Sequence, residues 1–463
     1  MSKPPVAVRA SQRARGGSRV VLGAALLGFF LISLDALIVT VALPDIGRGL
    51  GGGMTGQQWV VDGYTLMFAA LMLSAGALSD RIGAKRAYGG GLVLFAVASA
   101  ACGFAPGLGA LVIARLVQGA AAAVMMPASL ALVRQGFPDQ AERARAIAIW
   151  TVGGAVAVAA GPVVGGALTA SVGWRWIFFV NLPAGLLALV LLARVPVSPR
   201  LPARLDAVGQ VTAVVAMGAL TYGVIEGGDQ GFGRPLVVVS LLVAAAAAAA
   251  FLAAQARGAH PMLPLPLFRS RVVMVSLLVG FMLNAAYYGG VFVFSLYLQQ
   301  ERGQSALHAG LMFIPMTALV AVVNLASAKL AGRFGPRVPM VAGQLAGTAG
   351  LVALVTVGAH TNVWTVAALM VPVGLGGALT VPALTAMLLD AVPADRAGTA
   401  SAVLNTGRQV GGAIAVAVFG ALLAGQEAFV TGMRWSMLIA AAGLVLTTGT
   451  TLALPRAHRD AEA

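Results

Sequence analysis

The chain has 463 residues, of which 59% are hydrophobic and only 10% are charged, and its mean hydropathy is +0.91. Soluble domains carry about a quarter charged residues, so this composition excludes a soluble globular protein. The 30 Lys and Arg outnumber the 15 Asp and Glu, and a net charge of that size raises nucleic acid or an anionic membrane surface as a partner.

Fourteen apolar stretches are long enough to cross a bilayer as helices, since one crossing takes about twenty residues. None of them alternates with the two-residue period of a membrane β-barrel strand. The sequence therefore predicts an all-α polytopic membrane protein. The expected spans, numbered 1 to 14 in chain order, are 20–43, 58–79, 88–105, 108–133, 144–170, 176–194, 206–226, 235–256, 272–299, 307–330, 337–358, 363–386, 397–424 and 433–454.

The basic residues are distributed unevenly between the loops. If the N-terminus is cytoplasmic, the inner segments hold 24 Lys and Arg and the outer loops hold five, with Arg115 inside span 4. This bias predicts that both termini lie in the cytoplasm. We interpret the excess charge as a topology signal and a contact for anionic lipids, not for nucleic acid. No small-residue cleavage site follows the basic N-terminus, so we expect span 1 to be retained.

Two features of the sequence recur at nearly equal offsets. RIG at 81–83 matches RFG at 333–335, 252 residues later, and a Gly followed eight residues on by Pro occurs in spans 4 and 12, 255 residues apart. A duplicated six-helix unit with the substrate site between the halves is common in alternating-access transporters. The predicted regions are a basic N-terminus (1–19), a six-helix bundle (20–194), two inserted helices (206–256), a second six-helix bundle (272–454) and a cytoplasmic tail (455–463).

Motifs for hydrolytic chemistry are missing from the sequence. No GxxxxGK[ST], HExxH or GxSxG occurs, and the one GxGxxG match, at 51–56, has no preceding strand, so it reflects composition. The lone Cys102 excludes a disulfide framework. We therefore expect no enzyme activity, no metal and no cofactor. An ion gradient or a partner subunit must then drive any uphill transport.

Three charged residues lie clearly inside spans, namely Asp35, Asp62 and Arg115. Asp35 and Arg115 each lie about eight residues below the outer end of their span, a depth of roughly 12 Å, and equal depth allows contact. Embedded charges are costly, so each is a functional candidate. An acid in a low-dielectric cavity can carry a proton between the two sides, although a salt-bridge network that only fixes helix packing is the alternative.

Asp62 lies about five residues in from the outer end of span 2, and we expect it to face the shallower part of the same cavity. Two further charged residues, Glu226 in span 7 and Arg408 in span 13, we interpret as interfacial.

Seven segments carry a resemblance to a known family. They are GALSDRIGAKR (76–86), LVIARLVQGAAAAVMMP (111–127), GGAVAVAAGPVVGG (153–166), LDALIVTVALPDI (34–46), QQWVVDGYTL (57–66), WRWIFFVNLP (174–183) and PLPLFRSR (264–271). The first resembles the loop 2–3 signature of the major facilitator superfamily, the second its span-4 motif and the third the antiporter motif of span 5. Together they resemble the fourteen-helix drug:proton antiporter family of multidrug efflux transporters, over residues 20–454.

The resemblance implies two pseudo-symmetric six-helix bundles plus two inserted helices. It implies a proton-coupled exporter of lipophilic, cationic drugs or toxic compounds across the bacterial cytoplasmic membrane by alternating access. We expect the protein to be monomeric. On this interpretation Asp35 is the principal protonation site, Arg115 tunes its proton affinity, and Asp62 contacts cationic substrates.

Two motifs suggest conformational roles. The loop 2–3 residues would form a latch, in which Gly76 and Gly83 allow close approach and a tight turn, and Asp80 caps the next helix or pairs with an arginine of the inner face. The latch residues are Gly76, Asp80, Arg81, Gly83 and Arg86. The alternative to a latch is that the charges of this loop only set the orientation of the helices in the membrane. The antiporter motif should bend span 5 and pack it closely on a neighbour. The motif either contributes to exchange in this way or serves bending and packing alone. Its residues are Gly161, Pro162, Gly165 and Gly166.

Span 9 carries four aromatic residues, Phe281, Tyr287, Tyr288 and Phe292. They are candidates for a cavity wall that binds lipophilic compounds, or they face lipid or a neighbouring helix. Three other functions remain open: export of one endogenous metabolite or antibiotic, proton-coupled uptake, and a non-transporting scaffold. The span-5 motif disfavours uptake, and the embedded charges disfavour a scaffold.

Overall fold

The computed structural model describes residues 6–454 except 201, 203–204, 259–260, 394–395 and 425–428, and for 6–17 and 321 the helical backbone only. The predicted tail 455–463 and the side chains of the basic N-terminus up to residue 17 lie outside the described residues. Fourteen helices in the described part are long and apolar enough to cross a membrane. The prediction of an all-α polytopic fold with fourteen spans is confirmed.

The spans have these bounds: Ser18–Leu50, Gly53–Ile82, Ala84–Gly103, Leu108–Gly136, Gln140–Ser171, Trp176–Ala193, Ala207–Gln230, Pro235–Arg257, Arg271–Glu301, Ala306–Phe334, Arg337–Leu354, Val363–Asp390, Ala397–Ala424 and Phe429–Leu452. We call the face at which span 1 begins and span 14 ends the terminal face, and the other the opposite face. Odd-numbered spans run from the terminal face to the opposite face, and even-numbered spans run back.

Irregular backbone is concentrated at the opposite face. Span 1 continues through a 3₁₀ turn, Thr40–Ala42, into the short helix Leu43–Leu50, and span 9 ends in a π turn, Tyr297–Glu301. Span 10 is divided into Ala306–Met312, Ile314–Ala318 and Val320–Phe334. Pro315 lies in the second piece, where it cannot donate a backbone hydrogen bond. Such breaks are tolerated in a membrane protein where the backbone is enclosed by protein.

The sequence repeat has a counterpart in packing. A Cβ built on Gly119 of span 4 would lie 2.2 Å from the carbonyl oxygen of Tyr64 in span 2, and one built on Gly374 of span 12 would lie 2.2 Å from that of Met316 in span 10. Met316 follows Tyr64 by 252 residues, the offset of the loop repeat. Each half therefore uses a glycine in its fourth span to bring that helix against the second span.

Spans 7 and 8 form a hairpin between the two six-helix halves. Gln210 of span 7 donates to the carbonyl of Ala70 in span 2 at 2.9 Å. A Cβ on Gly228, near the other end of span 7, would lie 2.2 Å from that of Ala421 in span 13. The hairpin therefore contacts both halves, along the line where spans 2 and 13 meet.

Candidate functional site

Asp35 is fully buried in the middle of the first half, where three other side chains contact its carboxylate. Oδ2 forms an ion pair with Nη1 of Arg115. Oδ1 accepts hydrogen bonds from Nε2 of Gln118 and from Nδ2 of Asn181, each at 2.9 Å. Asp35 and Arg115 thus form the contact that their equal depth allows. Asn181 brings a third span, span 6, into the same network.

The guanidinium of Arg115 makes two further hydrogen bonds and contacts an aromatic ring. Its Nε donates to the carbonyl of Val60 at 3.0 Å and its Nη1 donates to Oε1 of Gln118 at 2.8 Å. The ring of Tyr64 lies 4.4 Å from its Cζ, a distance typical of a cation–π contact. Because Arg115 is 1% exposed, water does not solvate its charge, and these partners stabilise the charged guanidinium instead. Spacing of three residues places Arg115 and Gln118 on one helix face.

Sequence reasoning missed the polar residues that extend this network. Asn181 also donates to Oγ of Ser99 at 3.0 Å, and Ser99 donates to the carbonyl of Phe178 at 2.8 Å. All three side chains of the network that were missed, those of Gln118, Asn181 and Ser99, are fully buried. Each of them can be found in the sequence as a polar residue inside an apolar span. Gln118 and Asn181 also lie within segments that carry the family resemblance.

Asp62 is equally buried but has far fewer partners. Its Oδ1 accepts from the hydroxyl of Thr65 at 3.3 Å, whereas Oδ2 has no hydrogen-bond partner. One turn away, Gln58 donates to the carbonyl of Ala417 in span 13 at 2.8 Å, so this face of span 2 is directed at the second half. The expected exposure of Asp62 to a shallow cavity is not seen in this conformation.

The aromatic residues of span 9 divide into two groups. Tyr287 and Tyr288 are partly exposed, and their ring centroids lie 5.5 Å apart. Phe281 is also partly exposed and packs its backbone against Gly411 of span 13. Phe292 has no exposed surface and lies in the apolar core. Phe292 therefore packs against neighbouring helices, which is the alternative to a place in the cavity wall.

The interfacial interpretation of Arg408 is wrong. The residue lies near the middle of span 13, and its side chain reaches span 9, where Nε donates to Oδ1 of Asn284 at 3.1 Å. The run from Asn405 to Gln409 is polar and lowers local hydropathy as a span end does. Counting from the first residue of the span would have placed Arg408 at its centre.

The antiporter motif packs closely, as predicted. A Cβ on Gly165 would lie 2.4 Å from the carbonyl oxygen of Ile38 in span 1, and one on Gly166 would lie 2.3 Å from that of Ala306 in span 10. Reciprocally, a Cβ on Gly310 of span 10 would lie 2.2 Å from the carbonyl oxygen of Pro162. Span 5 thus joins the two halves near the opposite face, where no side chain fits between the backbones.

Hydrogen bonds between the halves lie on the same side. Ser295 donates to the carbonyl of Thr40 at 2.8 Å, and Gln299 donates to that of Val41 at 3.0 Å. A third side chain, that of Gln58, lies near the end of span 2 at the opposite face and donates to the carbonyls of Val416 and Ala417 in span 13. The halves are therefore closed together at the opposite face.

Loop 2–3 is fastened to its own half at the terminal face. Gly83 has a φ of +91° and begins the next helix without a side-chain cap, so the expected tight turn is present and capping by Asp80 is wrong. Nothing lies within 4 Å of a Cβ built on Gly76, so close packing there is also wrong. Lys85 donates its backbone N–H to Oγ of Ser198, in the segment after span 6, at 3.1 Å. Asp80 is exposed and interacts electrostatically with Arg134 of span 4.

A cavity of about 570 Å³ opens at the opposite face, between the ends of spans 1, 2, 9 and 10. Its lining residues include no aromatic side chain and four glutamines, namely Gln57, Gln299, Gln300 and Gln304. Drug-binding pockets are predominantly apolar and aromatic, so this vestibule does not match the predicted substrate site.

Comparison with known proteins places these features in a family context. The sequence profile of the Major Facilitator Superfamily matches residues 25–416. The multidrug resistance protein Stp of Mycobacterium tuberculosis is 41% identical over 403 residues, which is 86% of this chain and 74% of the relative. The methylenomycin A resistance protein of Streptomyces coelicolor is 36% identical over 433 residues, 93% of this chain and 91% of the relative.

Solved structures are similar in fold at low sequence identity. A POT family transporter in complex with a thioalcohol-conjugated peptide matches with a TM-score of 0.70 and 14% identity, over 93% of this chain and 95% of that chain. A bacterial homologue of the human lysosomal transporter Spinster, in an inward-facing and occupied conformation, matches with a TM-score of 0.65 and 18% identity, over 93% and 95%.

Proposed function

The chain belongs to the major facilitator superfamily, and on that premise we propose that it exports drugs or toxic amphiphiles across the bacterial cytoplasmic membrane in exchange for protons. Relatives along nearly the whole chain are named for multidrug or antibiotic resistance. Members of this superfamily are transporters and not enzymes. The single observation that carries the proton coupling is the fully enclosed Asp35–Arg115 pair.

The pair suits proton exchange because one acid has one cationic partner and two neutral donors. When a proton binds Asp35, the attraction to Arg115 falls, and the donors from spans 4 and 6 must rearrange. Since these groups lie on three different spans, protonation alters how the spans pack. That coupling of charge to helix packing is what alternating access requires.

The orientation follows from charge and closure taken together. The positive-inside bias supports a cytoplasmic terminal face. Closure of the halves at the opposite face by span 5 and span 10 then corresponds to a transporter shut toward the outside. Basic residues at the terminal face would contact anionic lipid headgroups, and the proton gradient is the energy source, with no cofactor.

A second candidate is export of a single antibiotic or endogenous metabolite. The observation that favours it is that several relatives are named for one compound each, methylenomycin A, tetracenomycin C or puromycin. Expression in a drug-sensitive host separates the two candidates, because a multidrug exporter confers resistance to compounds of unrelated structure and a dedicated exporter to one.

The test of proton coupling is reconstitution in liposomes with an imposed pH gradient. Flux of a lipophilic cation such as rhodamine 123 is measured for the wild type and for Asp35→Asn, with Asp229→Asn as a control that removes an exposed acid at the end of span 7. We expect gradient-driven flux in the wild type and the control and its loss in Asp35→Asn. Equal flux in all three would refute the assignment of Asp35.

A further inference from the structure

Two arginines lie in the membrane interior, and they are satisfied to different extents. Arg115 is enclosed and neutralised by Asp35. Arg408 is partly exposed, and its guanidinium donates to two amide oxygens only, those of Asn284 at 3.1 Å and Asn405 at 3.4 Å. A guanidinium carries five N–H donors. Most of those on Arg408 therefore have no acceptor in the part of the chain that the structure describes.

The second half of the protein provides no counter-ion for Arg408 at its depth. Spans 9 to 14 contain two acids, Glu301 and Asp390, and each is the exposed last residue of its span. In the first half, Asp35 is already paired with Arg115. Asp62, which faces the second half, lies beyond ion-pair distance of Arg408. Among the described residues, no carboxylate lies within ion-pair distance of Arg408. A membrane-embedded cation without a fixed partner marks a path or a site for a substrate.

The surroundings of Arg408 combine accessible polar groups with aromatic surface. Every residue from Asn405 to Val410 is partly exposed, and a Cβ built on Gly407 would meet no atom within 4 Å. Tyr288 packs against span 13 one helical turn from Arg408, because a Cβ built on Gly412 would lie 3.5 Å from the Cβ of Tyr288. Open space, a cation with spare donors and a tyrosine pair thus occur together at the middle of the membrane.

We propose that Arg408, positioned by Asn284 and Asn405, binds an anionic group of the transported compound, such as a carboxylate. The inference rests on the proposed export function and adds a substrate class to it: amphiphiles with an acidic group on an aromatic or apolar body. The planar guanidinium binds a carboxylate through two parallel hydrogen bonds, and the ammonium of a lysine cannot reproduce that geometry. Tyr288 would contact the apolar body beside the acid.

The test uses two dyes that differ at one group. Rhodamine 110 has a free carboxylate, and rhodamine 123 is its methyl ester. Dissociation constants for both are measured by fluorescence polarisation on the detergent-purified full chain, for the wild type, Arg408→Gln, Arg408→Lys and the control Arg434→Gln, which removes an exposed arginine near the opposite face. The measured quantity is the preference for rhodamine 110 over rhodamine 123, and retained rhodamine 123 binding reports that a variant is folded.

We expect a wild-type preference for the free carboxylate that falls about tenfold or more in Arg408→Gln, as for the loss of a charged hydrogen-bond pair. Arg408→Lys should be intermediate and Arg434→Gln unchanged. A wild type that binds both dyes equally, or a preference that survives Arg408→Gln, overturns the inference and leaves the proposed export function standing. A wild type that binds neither dye counts against the proposed function and the inference with it.

Discussion

Asn181 in span 6 donates a 2.9 Å hydrogen bond to Oδ1 of Asp35 in span 1. Replacing it by the similarly sized Leu leaves this oxygen with Gln118 as its remaining donor. Loss of one partner of a buried charged group costs about 1–3 kcal/mol. We therefore expect Asn181→Leu to lower the thermal stability and to reduce proton-driven dye flux in liposomes by about tenfold.

The variant Ser99→Ala provides the graded comparison. It removes the bond from Asn181 to the Ser99 hydroxyl and the bond from that hydroxyl to the carbonyl of Phe178. Neither bond reaches Asp35, so its effect on flux should be smaller than that of Asn181→Leu. If Asn181→Leu transports as the wild type does, the network around Asp35 serves packing alone.

The two embedded acids should respond oppositely to neutralisation. Asp35→Asn leaves the enclosed Arg115 without its counter-ion, which typically costs about 3–5 kcal/mol. Asp62→Asn removes an acid that has an unpartnered oxygen, so the unfolding temperature should stay the same or rise. Thermal unfolding of both variants in one detergent measures the contrast. A loss of stability in Asp62→Asn as large as that in Asp35→Asn would indicate a cationic partner for Asp62.

Function separates the same two acids. Asp62→Asn should weaken the binding of rhodamine 123, because an acid facing the second half is the proposed contact for the cationic part of a substrate. Its proton-driven transport of any substrate that still binds should persist, since Asp35 is intact. Abolished coupling in Asp62→Asn, with binding unchanged, would make Asp62 the proton carrier.

Hydropathy and residue depth predict much of this protein, for definite physical reasons. A crossing helix must be about twenty apolar residues long, so all fourteen spans can be read from the sequence. Asp35 and Arg115 could be matched because depth along a helix is linear in residue number. Their other partners, Gln118 and Asn181, depend on how each helix is rotated about its axis. Hydropathy contains no information about that rotation.

The errors have similar causes. The division of span 10 around Pro315 involves apolar residues that hydropathy reads as one continuous helix. The short polar run around Arg408 resembles a span end in composition and so predicts an interface where the structure has the middle of a span. Sequence does not separate the individual glycines of a motif, although Gly83 makes a turn, Gly166 lies against the other half and Gly76 has open space at its Cβ position. Contacts between segments far apart in sequence decide among these roles.

Asp206 should make the base of the inserted hairpin, where the start of span 7 meets the end of span 8, sensitive to acid. Its carboxylate accepts from the backbone N–H of Gly209 at 2.8 Å and from Nε2 of Gln255 at 2.7 Å. Partial burial raises the pKa of Asp206, but these two bonds and a third from the backbone of Met262 lower it by a larger amount. The net pKa is therefore below its ordinary value. A lowered pKa stabilises the folded state above the ordinary aspartate value, and that stabilisation is lost as the pH falls through the folded pKa.

The measurement is the difference in unfolding temperature between the wild type and Asp206→Ala across pH 7 to pH 3. The variant should be less stable at pH 7, since loss of a helix N-cap costs about 1 kcal/mol, and the difference should shrink below about pH 4. Asp229→Ala controls for removal of an exposed acid from the same span. A difference that stays constant over the whole pH range would contradict the role of the Asp206 charge.

Closure of the halves at the opposite face should depend on glycines of spans 5 and 10, because no side chain fits between the two backbones there. Gly166→Ala places a methyl group 2.3 Å from the carbonyl oxygen of Ala306, and Gly310→Ala places one 2.2 Å from that of Pro162. Neither backbone can move away while the halves stay closed, so both variants should shift the population toward separation there. The matched control is Gly290→Ala in span 9, because nothing lies within 4 Å of its Cβ position.

Spin labels at Ser171 and Ser305, both exposed at the opposite face, report this separation in a Cys102→Ala background. Distance distributions from double electron–electron resonance should move to longer values in Gly166→Ala and Gly310→Ala and stay unchanged in Gly290→Ala. Because the two methyl groups act on the same interface, the double variant should shift the distribution less than the sum of the single shifts. Unchanged distances in both single variants would mean that the halves are held together by the polar bonds of Ser295 and Gln299, and the antiporter motif would then have only a local packing role.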